Sequence, residues 1–385
     1  MEGFRLSARR TTGGWVRPGA VLAAACLAAS AGPARAATIT EPFARLELEG
    51  GYDSNPYLDG RGGDRMGRVS PDIGVVVKDH LYRLEAGYGA DFLLYPSLVS
   101  HAVVNQRADL KLKWRPARRW EAKLDARGTY TYDPVGLAQE GIIPIAGVGQ
   151  ALLVHADARV SWMAEQNFRL AATMSERAVQ FQGGPGAIAH VPGLETAWIL
   201  SAQDEVAAAY RLEVFRSLGG VAYQGSVAPE VRAIWRRKID RRYSLELQAG
   251  PALWMGPSST SVVPEGAATL LYAHRVVDLR LTATHELALG ALARPGLYDS
   301  LESGVVWRAG RSWRLTADGG FWRGGSLPSG DNAENGYMVG GELAYLLAGG
   351  AYVGVAASRF ARLDDTPGNS RDLFGLRVGW EVKPR

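Results

Sequence analysis

Cysteine is almost missing from this chain of 385 residues, and long apolar stretches are missing after its first 36 residues. The one cysteine is Cys26, so no disulfide can form within the chain. No run of about 18 apolar residues follows Ala37, which excludes a helical membrane span of the usual kind. The stability of an exported chain without disulfides must come from another source, and a closed, hydrogen-bonded barrel in lipid is one such source.

The first 36 residues have the pattern of an export signal. Four arginines form a basic start: Arg5, Arg9, Arg10 and Arg17. An apolar, alanine-rich run follows over 20–31, and 34–36 read Ala-Arg-Ala, a small-x-small cleavage site. We therefore expect residues 1–36 to be a cleaved signal peptide and residues 37–385 to be the mature domain.

The charge of the mature chain is balanced, although the whole sequence has a pI of about 9.1. The full chain carries 43 basic and 39 acidic residues. Five arginines and one glutamate lie in the leader, which leaves 38 residues of each sign. The basic pI is thus no argument for a nucleic-acid partner, and we expect none.

Apolar and polar residues alternate in runs of about ten, which is the period of β-strands. The run 82–92 is an example, with Arg83, Glu85 and Asp91 on one of its faces. The other face carries Tyr82, Leu84, Ala86, Tyr88, Ala90 and Phe92. The same alternation recurs over 107–114 and 120–130.

Short connections such as 78–80, 116–118 and 164–166 alternate with long ones such as 133–149, as in barrels of the bacterial outer membrane. We count 18 runs from Phe43 to Val382. The weakest place is 197–223, where Asp204 and Glu205 interrupt the alternation and we expect a tight turn near 207–210. A single strand there would lower the count to 16. The prediction is an all-β fold: one closed antiparallel transmembrane β-barrel of about 18 strands, with no plug domain.

Aromatic residues lie where a barrel meets the two membrane surfaces. Three pairs flank short connections: Trp114 and Trp120, Trp162 and Phe168, and Trp307 and Trp313. Tyr52, Tyr130 and Tyr132 lie beside long connections. These positions predict two aromatic belts in an integral outer-membrane protein surrounded by lipid. The aromatic-rich last run, 372–382, resembles the signal by which the outer-membrane assembly machinery recognises its clients.

A barrel of this size encloses an aqueous space, and its inner face is read from the strand parity. The fourth to seventh strands place a basic stripe there. Its members are Arg107, Lys111, Lys113, Lys123, Arg127, Arg159, Arg169 and Arg177. One interpretation is a network of paired charges that holds the strands in register, because unpaired charge in a narrow space is expensive. The other is a ladder that guides an anionic solute.

Residues with the patterns of catalytic or metal centres are not found. None of the six histidines has a helical i, i+4 partner or a nearby cysteine. We expect no enzyme activity, no cofactor and no metal. The segment 51–57 contains Asp53 and Asn55, which with Asp59 offer oxygen atoms to calcium. Their spacing lacks the full calcium-loop pattern, and an Asp/Asn/Pro turn is the preferred interpretation.

The segment 46–57, with Gly-Tyr-Asp-Ser-Asn-Pro at its core, resembles the first strand and loop of exported barrels associated with bacterial polysaccharide synthesis. The whole mature chain also resembles the barrel porins of myxobacterial polysaccharide secretion. This resemblance implies a passive conduit for a secreted polysaccharide, working with a periplasmic polysaccharide-export protein.

Two other functions fit the same sequence. One is a general diffusion porin for small, possibly anionic solutes, with the long connection 133–149 folding inward through its isoleucines. The other is an adhesion or scaffold barrel that is closed to traffic.

Overall fold

The computed structural model describes most of the chain from residue 38 onward. The described residues are 38–56, 58, 60, 62–97, 103–132, 150–182, 184–218, 225–257, 259–290, 294–327, 334–363 and 370–382. They form 18 strands and one short 3-10 turn at Ala348–Gly350. The strands are β1 (Ile39–Asp53), β2 (Asp64–Lys78), β3 (Tyr82–Leu94), β4 (Val103–Ala117), β5 (Trp120–Thr131), β6 (Ala151–Met163), β7 (Phe168–Phe181), β8 (Gly186–Ile199), β9 (Asp204–Ser217), β10 (Ser226–Lys238), β11 (Tyr243–Met255), β12 (Thr260–Ala273), β13 (Val277–Leu289), β14 (Pro295–Ala309), β15 (Trp313–Ser326), β16 (Glu334–Leu346), β17 (Ala351–Arg362) and β18 (Ser370–Val382).

The strands close into one antiparallel barrel. Each strand pairs with its neighbours in the chain, and β1 also pairs with β18, from Ala44 opposite Val382 to Asp53 opposite Leu373. Closure leaves no sheet edge, so the backbone groups of every strand have partners within the protein. The predicted fold class and the count of 18 strands are confirmed. No helix in the described part of the chain is long and apolar enough to cross a membrane.

The turn expected near 207–210 is wrong, because Ala207 and Tyr210 lie inside β9, opposite Ala197 and Leu194 of β8. The chain turns earlier, at 200–203. Asp204 and Glu205 begin β9 instead of interrupting it. The Asp204 carboxylate accepts a hydrogen bond from Trp235 Nε1 at 3.2 Å on the outer face. The Glu205 carboxylate accepts one from Arg169 at 2.6 Å on the inner face.

Strand alternation gives the barrel an apolar outside and a charged inside. On β18, Phe374 and Leu376 are 56% and 60% exposed, whereas Glu49 on the opposite face of β1 is 4% exposed. Aromatic rings pair on adjacent strands at the short-turn end. These pairs are Trp120 with Trp162, Phe168 with Trp198, Tyr243 with Tyr272, and Trp313 with Tyr345, with ring centroids 4.5 to 6.0 Å apart. An apolar band with aromatic rings at its margin is the outer surface of an integral outer-membrane barrel.

The segment 51–57 ties the first strand to the last. The Asp53 side chain is fully buried and accepts hydrogen bonds from Arg371 Nε at 2.9 Å and Nη2 at 2.6 Å. Tyr95 Oη donates a third at 3.0 Å, and the amide nitrogen of Asn55 a fourth at 3.1 Å. Asn55 Nδ2 donates to the carbonyl oxygen of Ser370 at 3.0 Å. These contacts fit the turn interpretation, while Asp59 lies outside the described residues.

Replacing Arg371 with alanine is expected to destabilise the barrel by about 3–5 kcal/mol, because it leaves the Asp53 carboxylate buried without its cation. Urea unfolding in detergent micelles, followed by tryptophan fluorescence, measures the loss. Arg359→Ala is the matched control, since Arg359 of β17 and Asp372 of β18 form a 3.2 Å pair on the exposed outer face. We expect no resolvable change there. Equal losses in the two variants would contradict a special role for the buried pair.

Candidate functional site

The basic residues of the predicted stripe occupy the inner wall on four consecutive strands, β4 to β7. Lys111, Lys113, Lys123, Arg159 and Arg177 line one cavity. Arg107 and Arg127 line a second. Arg169 faces inward as well, since it contacts Glu195 and Glu205. The structure therefore brings all eight side chains to the lumen side of one continuous wall.

The two cavities are unequal and both are rich in positive charge. The first has a volume of about 670 Å³ and is bordered by β3 to β11, with nine basic and five acidic side chains. The second has about 1040 Å³ and is bordered by β1 to β5 and β14 to β18, with nine basic and four acidic side chains. Their volumes are those of pockets that hold small molecules. The lumen surface is thus basic although residues 37–385 carry equal numbers of basic and acidic side chains.

Most of these basic side chains are held by carboxylates. Glu195 accepts from Arg159 at 2.6 Å and from Arg236 at 2.9 Å, and lies 3.5 Å from Arg169. Glu205 joins Arg169 and Arg236, each at 2.6 Å. One network therefore connects β6 to β10. Buried charges are tolerated only when paired and hydrogen-bonded in this way.

A second network lies on β4 and β5. Glu121 contacts Arg115 at 2.5 Å, Lys123 at 2.9 Å and Lys113 at 3.6 Å. On the same strands, Arg127 pairs with Asp109 at 2.8 Å. Lys111 and Arg177 differ from the rest of the stripe: among the described residues neither has an ion pair within 4.0 Å. The stripe therefore combines both arrangements that the sequence suggested, six paired positions and two without a close counter-ion.

Burial separates the two signs of charge even within the pairs. The Glu195 side chain is 6% exposed, while its partners Arg159 and Arg236 are 28% and 26% exposed. Glu121 is 21% exposed, whereas Lys123 is 53% exposed. The carboxylates form the base of the wall and the cations cover them. A solute in the lumen meets mainly guanidinium and ammonium groups.

Glycine makes room for contacts between strands that are not neighbours. Arg107 on β4 reaches Asp72 on β2 by passing over Gly89 of β3. A Cβ atom at Gly89 would lie 2.8 Å from Arg107 Nε, closer than real Cβ contacts come. In a sequence, an inward-facing glycine on a strand between two strands that carry charged residues therefore indicates such a bridge.

A third network holds the seam between β18 and β1. Glu49 forms ion pairs with Arg68 at 2.5 Å and Arg377 at 3.2 Å, and Arg377 also contacts Glu342 at 2.5 Å. The predicted stripe does not include Arg377, nor Arg236 of the first network. Both residues share the inward parity of their strands, which is the signal that identifies them.

The wall makes a direct prediction about access. A cysteine at Lys111 should react with a charged, membrane-impermeant thiol reagent, because it faces the aqueous cavity. A cysteine at Leu110, one residue away and on the outer face, should stay unlabelled in the membrane-inserted barrel. Mass spectrometry of the labelled protein checks this against a chain in which Cys26, the only cysteine, has been cleaved off or replaced. Reaction at 110 and none at 111 would reverse the assignment of faces.

No family model matches the chain, and no curated protein matches it. Among solved structures, a BenF-like porin from Pseudomonas fluorescens Pf-5 is 7% identical, covering 89% of this chain and 98% of that one, with a TM-score of 0.48. OpdQ from Pseudomonas aeruginosa is 9% identical over 90% and 98% of the two chains, with a TM-score of 0.43. The siderophore receptor PirA from Acinetobacter baumannii is 7% identical over 89% and 80%, with a TM-score of 0.45. The strand pairing of the chain itself defines the fold as one closed antiparallel barrel of 18 strands.

Proposed function

We propose that this barrel is a passive outer-membrane porin for small anionic solutes. The observation that carries the proposal is the separation of charge in the wall. Basic side chains exceed acidic ones around both cavities, and the paired carboxylates, with Glu246 as an exception, are more buried than their partners. Rings and ladders of Arg and Lys favour anions in pores.

The paired carboxylates give the wall its order. Glu195 fixes three guanidinium groups in place, so an anion finds its donors already positioned. Lys111 and Arg177, which form no ion pair within 4.0 Å with any described residue, leave their charged groups free to contact a solute. Several weak contact points along a wall let a solute enter and leave, which passive conduction requires. No energy source or conformational change is needed.

The polysaccharide conduit implied by the resemblance has less support than the small-solute porin. A sugar polymer needs a continuous accessible track, and stacked aromatic rings are the usual apolar contacts for sugar rings. The inward-facing Trp254, Tyr352 and Phe360 are only 1–2% exposed, so they offer no such surface. The cavity volumes also favour small solutes. A periplasmic export partner stays a prediction of that second function.

The closed scaffold is the remaining alternative, and the paired networks are its support. Extensive pairing stiffens the wall, but it does not fill the two cavities of about 670 and 1040 Å³. Single-channel recording of the refolded protein in a planar bilayer separates the functions. We expect a steady conductance with anion preference. Absence of conductance from correctly inserted barrels would contradict the porin and favour a scaffold, or a conduit closed until a partner docks.

Lys111→Glu is expected to reduce anion permeation by about four-fold. A change of two charge units alters the energy of a monovalent anion about 10 Å away in water by about 0.8 kcal/mol. The anion-to-cation permeability ratio, measured from reversal potentials in a salt gradient, reports the change.

Arg216→Glu is the matched control, because Arg216 is an exposed residue on the outer face of β9. It changes the net charge of the protein by the same amount without changing the lumen. Equal shifts in the two variants would show that selectivity follows net charge and not the stripe.

A further inference from the structure

Three glutamates on separate strands converge inside the wall, away from the basic stripe. Glu213 lies on β9, Glu230 on β10 and Glu265 on β12. One carboxylate oxygen of each lies within 4.8 Å of one oxygen of each of the others. The three residues are 4%, 1% and 4% exposed, so water has little access to them.

The positive charges in this cluster do not balance the negative ones. Arg232 bonds to both Glu230 and Glu265, and Arg211 lies 3.7 Å from Glu230. Glu286 on β13 and Glu265 both exert an unfavourable negative field on Glu213. Four carboxylates thus face two guanidinium groups. With every group ionised, two negative charges are left over.

Several oxygen atoms in the cluster have no donor. Glu213 forms no hydrogen bond and no ion pair with any described residue. Its Oε2, Oε2 of Glu230 and Oε1 of Glu265 are buried without a hydrogen-bond partner in the described part of the chain. Buried polar atoms are almost always satisfied, so unpaired oxygens on three converging carboxylates indicate that this cluster can bind a cation.

We propose that Glu213, Glu230 and Glu265 bind a calcium ion. Calcium takes oxygen ligands at about 2.4 Å, so two of its ligands lie at most about 4.8 Å apart, and one oxygen atom of each carboxylate lies within that distance of the others. Its two positive charges equal the two that the cluster lacks. Magnesium requires ligands at about 2.1 Å in a strict octahedron, and carboxylates on three strands fit this less well.

This proposal departs from the expectation of no metal. The ligands are 17 and 35 residues apart in the sequence, and no local spacing reveals them. They meet because Gly250 of β11, opposite Glu265, has no side chain. A Cβ atom at Gly250 would lie 2.9 Å from the Cα atom of Arg232. The ion joins β9, β10 and β12 over this gap.

Calorimetry on the full-length barrel tests the site. The protein is purified in detergent free of lipopolysaccharide, stripped with a chelator, and titrated with calcium chloride. We expect one tightly bound calcium ion per barrel, and we expect the unfolding temperature of the barrel to rise when calcium binds. Glu213→Gln should lower the affinity by at least about tenfold, since ligand charge sets calcium affinity. Glu246→Gln, which removes the same charge from the Arg236 pair, should leave calcium binding unchanged.

A second signature separates calcium from the rival explanation, in which the glutamates share protons. In chelator, Glu213→Gln should unfold at the same temperature as the unmodified barrel or higher, because it removes an uncompensated charge. Calcium should then stabilise the unmodified barrel and not the variant. If Glu213→Gln does not fold, Glu265→Gln replaces it.

Terbium gives an independent optical readout on the unmodified protein. Excitation of tryptophan should produce terbium emission that calcium quenches by competition, and Glu213→Gln should weaken it. Failure of the folded barrel to bind calcium at millimolar concentration, or equal binding by Glu213→Gln and the unmodified barrel, would overturn the proposal. Neither result affects the conductance tests.

Discussion

Closure of the sheet between β1 and β18 is the constraint on which the rest of the structure depends. In hydrocarbon an unpaired strand edge has no water to bond with, so 18 strands are stable only as a ring. The two chain ends supply the closing pair, and ten residue pairs join them. The side chains reinforce the same place: Asp53 and Arg371 at the loop end, and the Glu49 network lower on the wall. A chain without disulfides thus secures its longest-range contact with buried charge.

A ring of this size turns every second side chain into the lumen, where charge is dense and must be organised. The wall uses two devices. Carboxylates lie deep and hold several cations each, as Glu195 holds three. Glycines such as Gly89 and Gly250 leave gaps over which charged groups meet across an intervening strand. In the cluster of Glu213, Glu230 and Glu265, this arrangement leaves more negative than positive charge.

The sequence predicted the fold well because strand parity and connection length are local properties. Alternation located the strands, and their parity placed the stripe from Arg107 to Arg177 on one wall. The turn near 207–210 was misplaced because Asp204 and Glu205 looked like a break, whereas each has a partner on a strand distant in sequence. Which charged residues pair depends on neighbours two or three strands away. The same neighbours decide which cations lack a close counter-ion. No periodicity in the sequence encodes those distances.

The depth of the charged groups explains how the barrel can have a basic lumen although residues 37–385 carry equal numbers of basic and acidic side chains. The two interpretations of the stripe, a paired network and an anion-guiding ladder, exclude each other only if the partners are equally exposed. They are not: Glu49 has no exposed side-chain surface while Arg68 keeps 22%, and Glu121 keeps 21% while Lys113 keeps 49%. The short carboxylate stays at the wall and the long cation extends over it, because Arg and Lys place their charge at the end of a flexible stem. Pairing therefore fixes the cations without removing their field from the lumen, and one wall both holds the barrel in register and favours anions.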